Sequence, residues 1–82
     1  MKRLNIKIYG IVQGVGFRPF VSRLADACQI RGTVCNKGPY VEVFAEGNDA
    51  ALQRFVEGIP KKAPERAAIL KVDVQILKLI NN

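Results

Sequence analysis

The chain has 82 residues, of which 49% are hydrophobic and 24% are charged, and its formal net charge is +6. This size suits one small domain over residues 1–82, the hydrophobic content argues against disorder, and the charge favours an anionic partner without choosing between a small phosphate compound and a nucleic acid. Two cysteines and no histidine give neither a disulfide framework nor a zinc motif, and no long apolar run predicts a signal peptide or membrane span, so we expect a reduced, cytoplasmic protein.

The first predicted strand leads into a glycine-rich loop. Leu4, Ile6 and Ile8 alternate with polar or aromatic residues, which is typical of a strand with one buried face. Three glycines follow within residues 10–16, and Arg18 stands where the loop meets a predicted helix. Backbone N–H groups in such a loop can turn toward an anion, and an arginine can hold a phosphate with two donors. This run predicts a phosphate-binding site.

A first helix is predicted directly after the loop. Its apolar residues recur at helical spacing: Phe17, Phe20, Val21, Leu24, Ala25 and Cys28. Pro19 fits the first turn, where its missing N–H is not needed, and Gly32 lies just beyond the predicted end. A short second strand follows over residues 33–36 and reaches a turn at residues 37–39.

A third strand and a second helix come next. Residues 41–46 alternate between apolar and other side chains, which predicts the hairpin partner of the second strand. Asn48 is a good N-cap for a helix. The apolar face of this helix is formed by Leu52, Phe55, Val56 and Ile59. Gly58 and Pro60 are predicted to end it.

The last predicted strand completes the fold. Apolar residues alternate from Leu70 to Ile76, and the alternation slips at Leu77 and Leu79, which predicts a bulge or a short extra strand. The resulting order is βαββαβ. It predicts an α+β fold of the ferredoxin-like type, an antiparallel sheet with two helices on one face.

Asn36 is a second candidate site residue. It shares strand parity with Val34, so if Val34 packs under the helices, Asn36 lies on that face too, at the end of the strand. A carboxamide there is costly unless it has polar partners, which the open end of the sheet near Arg18 would supply. Asparagine is also common in turns, such as the one that begins here at Lys37. The residues alone leave both roles open.

Three segments together match a known pattern: residues 12–18, residues 32–36 and residues 41–43. They resemble the acylphosphatase family over nearly the whole chain. Within that family, residues 16–21 and 34–38 are most similar to the N-terminal acylphosphatase-like domain of HypF, the carbamoyltransferase of NiFe-hydrogenase maturation.

The resemblance implies an activity and a site. The activity is hydrolysis of acyl phosphates, including carbamoyl phosphate, to inorganic phosphate without a metal or cofactor. Arg18 matches the family's phosphate-binding arginine, and Asn36 matches the asparagine that positions the water attacking phosphorus. The backbone N–H groups that would surround the phosphate belong to Gln13, Gly14, Val15, Gly16, Phe17 and Arg18.

One position departs from the family pattern. Tyr40, preceded by Pro39, stands where many members have glycine. Glycine tolerates positive φ and tyrosine does so poorly. We therefore expect the hairpin between Asn36 and Val41 to differ in shape, with an effect on the pose of Asn36.

Three functions compete. The resemblance favours an acyl phosphate hydrolase that handles carbamoyl phosphate in hydrogenase maturation, either as a stand-alone protein or as one domain of a larger carbamoyltransferase. A phosphate-binding module of such a transferase that does not hydrolyse its ligand is the alternative. RNA-recognition modules share the element order, but residues 16–21 open a helix instead of lying in a strand, and we interpret Tyr9, Tyr40 and Phe44 as sheet packing. The sequence therefore argues against nucleic-acid and membrane partners.

Overall fold

The structure is a computed structural model that describes residues 1–79. Its strands are β1 (Lys2–Ile11), β2 (Arg31–Asn36), β3 (Tyr40–Gly47) and β4 (Ala68–Leu79), and its helices are α1 (Phe17–Cys28) and α2 (Asp49–Lys62). The strands pair antiparallel in the order β2-β3-β1-β4. This arrangement confirms the predicted ferredoxin-like α+β fold.

The core lies between the sheet and the two helices. Residues paired directly across β1 and β3, such as Ile6 and Val43, share a face and are buried together. Phe17 of α1 and Phe55 of α2 are the largest fully buried side chains above them. The apolar alternation and the helical stripes predicted from the sequence thus form one core. Neither helix in residues 1–79 has the length and apolarity to cross a membrane.

Helix α2 begins as predicted but ends later. The Ala51 N–H donates to Asn48 Oδ1 over 2.8 Å, so Asn48 caps the helix. Gly58 and Pro60 do not end it, because the helix continues to Lys62. Gly58 is buried against α1, where a Cβ would lie 3.2 Å from Leu24 Cδ1. Its role is close helix packing, and Pro60 removes one backbone donor in the last turn without stopping the helix.

Gly32 lies inside β2 and is not the residue that follows α1. The strand begins at Arg31, two residues earlier than predicted. Helix α1 ends at Cys28 and is capped by Gln29, whose φ is 59° and whose N–H donates to the Ala25 and Asp26 carbonyls. A Cβ on Gly32 would lie 1.7 Å from the Phe44 carbonyl oxygen. The glycine is needed for this close strand contact, while the helix end uses a left-handed glutamine instead.

Strand β4 carries two register shifts against β1. One shift lies next to Leu4 and leaves Leu77 as the extra residue, which confirms the predicted bulge. The other lies next to Gly10 and leaves Leu70 unpaired and 81% exposed. The prediction that the alternation begins at Leu70 was wrong there, because the bulge makes Ile69 the residue that packs against the core.

Candidate active site

The loop over residues 12–16 connects β1 to α1. Val12 is buried in the core and anchors its start. Gly14 and Gly16 both adopt left-handed backbone conformations, with φ of 68° and 73°, and Gly16 is the N-cap of α1. Residues that carry a Cβ rarely adopt these backbone angles, whereas glycine does so readily. The two glycines therefore let the chain reverse within a few residues at the start of the helix.

The loop and the first helical turn present unpaired backbone donors. In the described part of the chain, no backbone–backbone hydrogen bond is donated by residues 13–18, and the first bond of this region runs from the Phe20 N–H to the Gly16 oxygen over 3.2 Å. Gly16 supplies no side-chain acceptor to the helix start. The positive end of the helix dipole lies at the same place. Such a set of donors suits an anion.

Arg18 extends into solvent from the first turn of α1. Its neighbour Phe17 is 1% exposed, so the core fixes the backbone from which the arginine projects. Across residues 1–79 its guanidinium has no ion-pair or hydrogen-bond partner, and the first turn of α1 contains no acidic residue. The full fork of donors is therefore available to a ligand.

Asn36 is the last residue of β2. It pairs with the fully buried Val41, and Val34 pairs with the buried Val43 and packs against the core. Directly paired residues of antiparallel strands share a face, so Asn36 lies on the helix-covered side, as its parity predicts. It remains exposed because it stands at the end of an edge strand.

The carboxamide of Asn36 is held by the turn that follows it. The Gly38 N–H donates to Asn36 Oδ1 over 2.8 Å, which forms an Asx turn. This bond engages the oxygen and leaves the Nδ2 group, with two donors, without a partner among residues 1–79. The turn role and a ligand-binding role thus use different atoms of the same side chain.

The hairpin after Asn36 accommodates Tyr40 without backbone strain. The Lys37 N–H donates to the Tyr40 oxygen over 2.9 Å and closes a turn around Gly38 and Pro39. Gly38 has a φ of 92°, whereas Tyr40 is not among the residues with positive φ in the described chain. A glycine with positive φ at the first central position is typical of a type II′ hairpin. The left-handed residue of this turn is thus Gly38.

One side chain joins the loop to the hairpin. Gln13 Nε2 donates to the Gly38 carbonyl oxygen over 3.0 Å. Gly38 is thereby bound on both sides, its carbonyl by Gln13 and its N–H by Asn36. The sequence predicted a backbone role for Gln13 and missed this contact, because the two residues are 25 positions apart and no local pattern links them.

The aromatic residues on the open face of the sheet contact each other. The rings of Tyr9 and Tyr40 have centroids 5.1 Å apart. Lys7 Nζ lies 5.6 Å from the Tyr40 ring centroid, and Lys71 Nζ lies 5.6 Å from that of Tyr9. These contacts agree with the interpretation of both tyrosines as sheet packing.

Comparison with known proteins assigns the family. The acylphosphatase family model matches residues 4–82. The acylphosphatase of Staphylococcus aureus (strain Newman) is 38% identical over 79 residues, which cover 96% of this chain and 89% of that protein. The crystal structure of acylphosphatase from Bacillus subtilis has a TM-score of 0.88 and 36% identity, and the match covers 98% of this chain and 89% of that one.

A larger protein contains a similar region. The probable carbamoyltransferase HypF of Methanocaldococcus jannaschii is 42% identical over 76 residues, which cover 93% of this chain. The match spans only 10% of that protein's length. The family model and the relatives matched over nearly their full length agree with the fold. The chain therefore belongs to the acylphosphatase family, whose members hydrolyse acyl phosphates.

Proposed function

We propose that Arg18, the backbone N–H groups of residues 13–18 and Asn36 carry out the hydrolysis in this chain. The observation that supports the proposal most directly is the unpaired set of donors at the start of α1, beside an arginine without an acidic partner across residues 1–79. A phosphoryl group carries negative charge on several oxygens and needs several donors at once. The loop would bind these oxygens, and Arg18 would hold two of them in a bidentate contact.

The attacking water is bound by Asn36 in this mechanism. Its Nδ2 donates to the water oxygen and holds it in line with phosphorus, while Oδ1 stays in the Asx turn. The water oxygen bonds to phosphorus, the bond from phosphorus to the acyl oxygen breaks, and the water proton passes to a phosphoryl oxygen of the substrate. Because the leaving group is a carboxylate or carbamate, it needs no general acid. Positioning and charge stabilisation then supply the catalysis, and no metal is needed.

Carbamoyl phosphate is the substrate we propose alongside simple acyl phosphates. The support is the 42% identity to a probable carbamoyltransferase HypF over 93% of this chain. A carbamoyl phosphate-handling role beside further domains of a hydrogenase maturation carbamoyltransferase follows as part of the proposal. The alternative is that the site binds the ligand without turnover, as a module of a larger carbamoyltransferase. That alternative requires that Asn36 does not bind the attacking water.

The test is phosphate release from carbamoyl phosphate and from an aryl acyl phosphate, measured in the presence of a chelator. We expect Arg18→Ala and Asn36→Ala each to lower kcat/KM by about 100-fold or more, the size seen for loss of one charge-stabilising donor. Arg23→Ala is the matched control, because Arg23 is an exposed arginine on the same helix. Inorganic phosphate should inhibit as the product. Unchanged turnover in Arg18→Ala would overturn the proposal, and binding of phosphate by an inert wild type would favour the non-hydrolytic module.

A further inference from the structure

We propose that the side chain of Gln13 is a positioning residue that holds the β2–β3 hairpin, and with it Asn36, against the phosphate-binding loop. The inference rests on the proposed function and extends it, since that function uses only the backbone N–H of Gln13. It concerns the alignment of the attacking water with the bound phosphoryl group.

The evidence is a chain of two hydrogen bonds through one residue. Gln13 Nε2 donates to the Gly38 oxygen over 3.0 Å, and the Gly38 N–H donates to Asn36 Oδ1 over 2.8 Å. The bond that closes the hairpin uses Lys37 and Tyr40, so the Gly38 carbonyl is left for Gln13. A displacement of the loop relative to the hairpin therefore stretches a contact to Gly38, the residue whose N–H orients Asn36.

The β1–β3 ladder holds the hairpin beside β1 as far as the pair Tyr9 and Tyr40, and the loop and the turn both lie beyond that pair. Within residues 1–79, no backbone–backbone hydrogen bond joins residues 12–16 to residues 36–40. Strand β2, which carries Asn36 at its end, is an edge strand that pairs only with β3. Among the described residues, the hydrogen bond donated by the Gln13 amide is thus the one that connects the phosphate-binding loop to the turn carrying Asn36. A small misplacement of a reacting group can lower a rate by up to about 100-fold.

Gln13→Met tests the proposal because methionine keeps the length and volume of the side chain and removes the donor. We expect kcat to fall about tenfold, while inhibition by inorganic phosphate changes by less than about twofold, since the loop backbone and Arg18 are untouched. Gln13→Lys restores a donor of similar reach and should recover part of kcat. Gln53→Met, an exposed glutamine on α2, is the matched control and should behave as wild type.

A double-mutant cycle separates positioning from a general structural effect. In an Asn36→Ala background, Gln13→Met should cause almost no further loss of kcat, because the group it positions is gone. Additive losses would overturn the proposal. So would a weaker phosphate affinity with kcat unchanged, since that result would confine Gln13 to the loop.

The contact itself is tested without turnover by the amide NMR resonances of Gly38 and of the Asn36 side chain. Gln13→Met should shift both, and a change limited to residues 12–16 would overturn the inference even if activity fell. If Asn36→Ala retained full turnover, the proposed function would fail, while these resonances would still decide whether Gln13 holds the hairpin. The two failures are therefore distinguishable.

Discussion

Asn36 serves a structural and a proposed catalytic purpose with different atoms. Its Oδ1 accepts the Gly38 N–H and fixes the orientation of the carboxamide, while its Nδ2 keeps two donors for a ligand. Gly38 is in turn bound by Gln13. At the scale of single residues, the candidate site thus contains a chain of two hydrogen bonds that runs from Gln13 through the Gly38 backbone to Asn36. This explains how an exposed asparagine at the end of an edge strand can hold a defined geometry.

Asn36→Asp separates the two purposes. Aspartate keeps an oxygen acceptor for the Gly38 N–H but has no donor for water and adds a negative charge beside the phosphoryl group. We expect kcat/KM to fall as far as in Asn36→Ala, whereas the free energy of unfolding changes by less than about 0.5 kcal/mol, compared with a loss of about 1 kcal/mol in Asn36→Ala. Turnover assays and urea unfolding measure the two effects. Full activity in Asn36→Asp would contradict a donor role for Nδ2.

Contiguity in the chain decides which features of the candidate site can be predicted from the sequence. Arg18 and the glycine loop lie within a few residues of one another, so their joint chemistry is visible in the sequence. The parity of Asn36 with Val34 placed it on the correct face. The Gln13 contact was not predictable, because it depends on where two distant turns meet in space.

At the scale of elements, the two ends of α2 differ in how well local sequence signals predict them. Gly58 and Pro60 are common helix breakers, yet α2 continues through both to Lys62. Gly58 permits close approach of Leu24, a tertiary contact that local propensity does not report. Asn48, by contrast, acts through a bond to a residue three positions away, and its cap was predicted correctly. Local signals predicted the start of the helix but not its end.

Removing that cap should affect stability and leave catalysis intact. Asn48→Ala loses the acceptor for the Ala51 N–H, and we expect a loss of about 1 kcal/mol in the free energy of unfolding, while Asn48→Asp keeps an acceptor and loses less. Asn48 follows Gly47, which pairs with Lys2, whereas the candidate site lies at the opposite end, where Tyr9 pairs with Tyr40. The kcat of folded Asn48→Ala should equal that of wild type. A large fall in kcat at full folding would contradict this separation.

At the scale of the whole molecule, the strand order places the loop and the β2–β3 hairpin at the same end of the sheet. Strand β1 lies beside β3, and the end of β1 that leads into the loop is also the end at which the β2–β3 hairpin turns. The sequence predicted this topology because the alternations of β1 and β3 and the stripes of both helices are regular. Strand β4 was harder, since each bulge changes which face the following residues occupy. The net charge of +6 is consistent with an anionic substrate.

Titration of the protein with inorganic phosphate, followed by the backbone amide resonances, tests most directly whether residues 13–18 bind the phosphoryl group. We expect the largest shifts at the amides of residues 13–18, with the same saturation curve at each. Arg18→Ala should weaken the binding at least tenfold, and Arg23→Ala should leave it unchanged. Saturable shifts centred elsewhere, such as on the open face around Tyr9 and Tyr40, with the loop amides unmoved, would show that the loop is not the phosphate site.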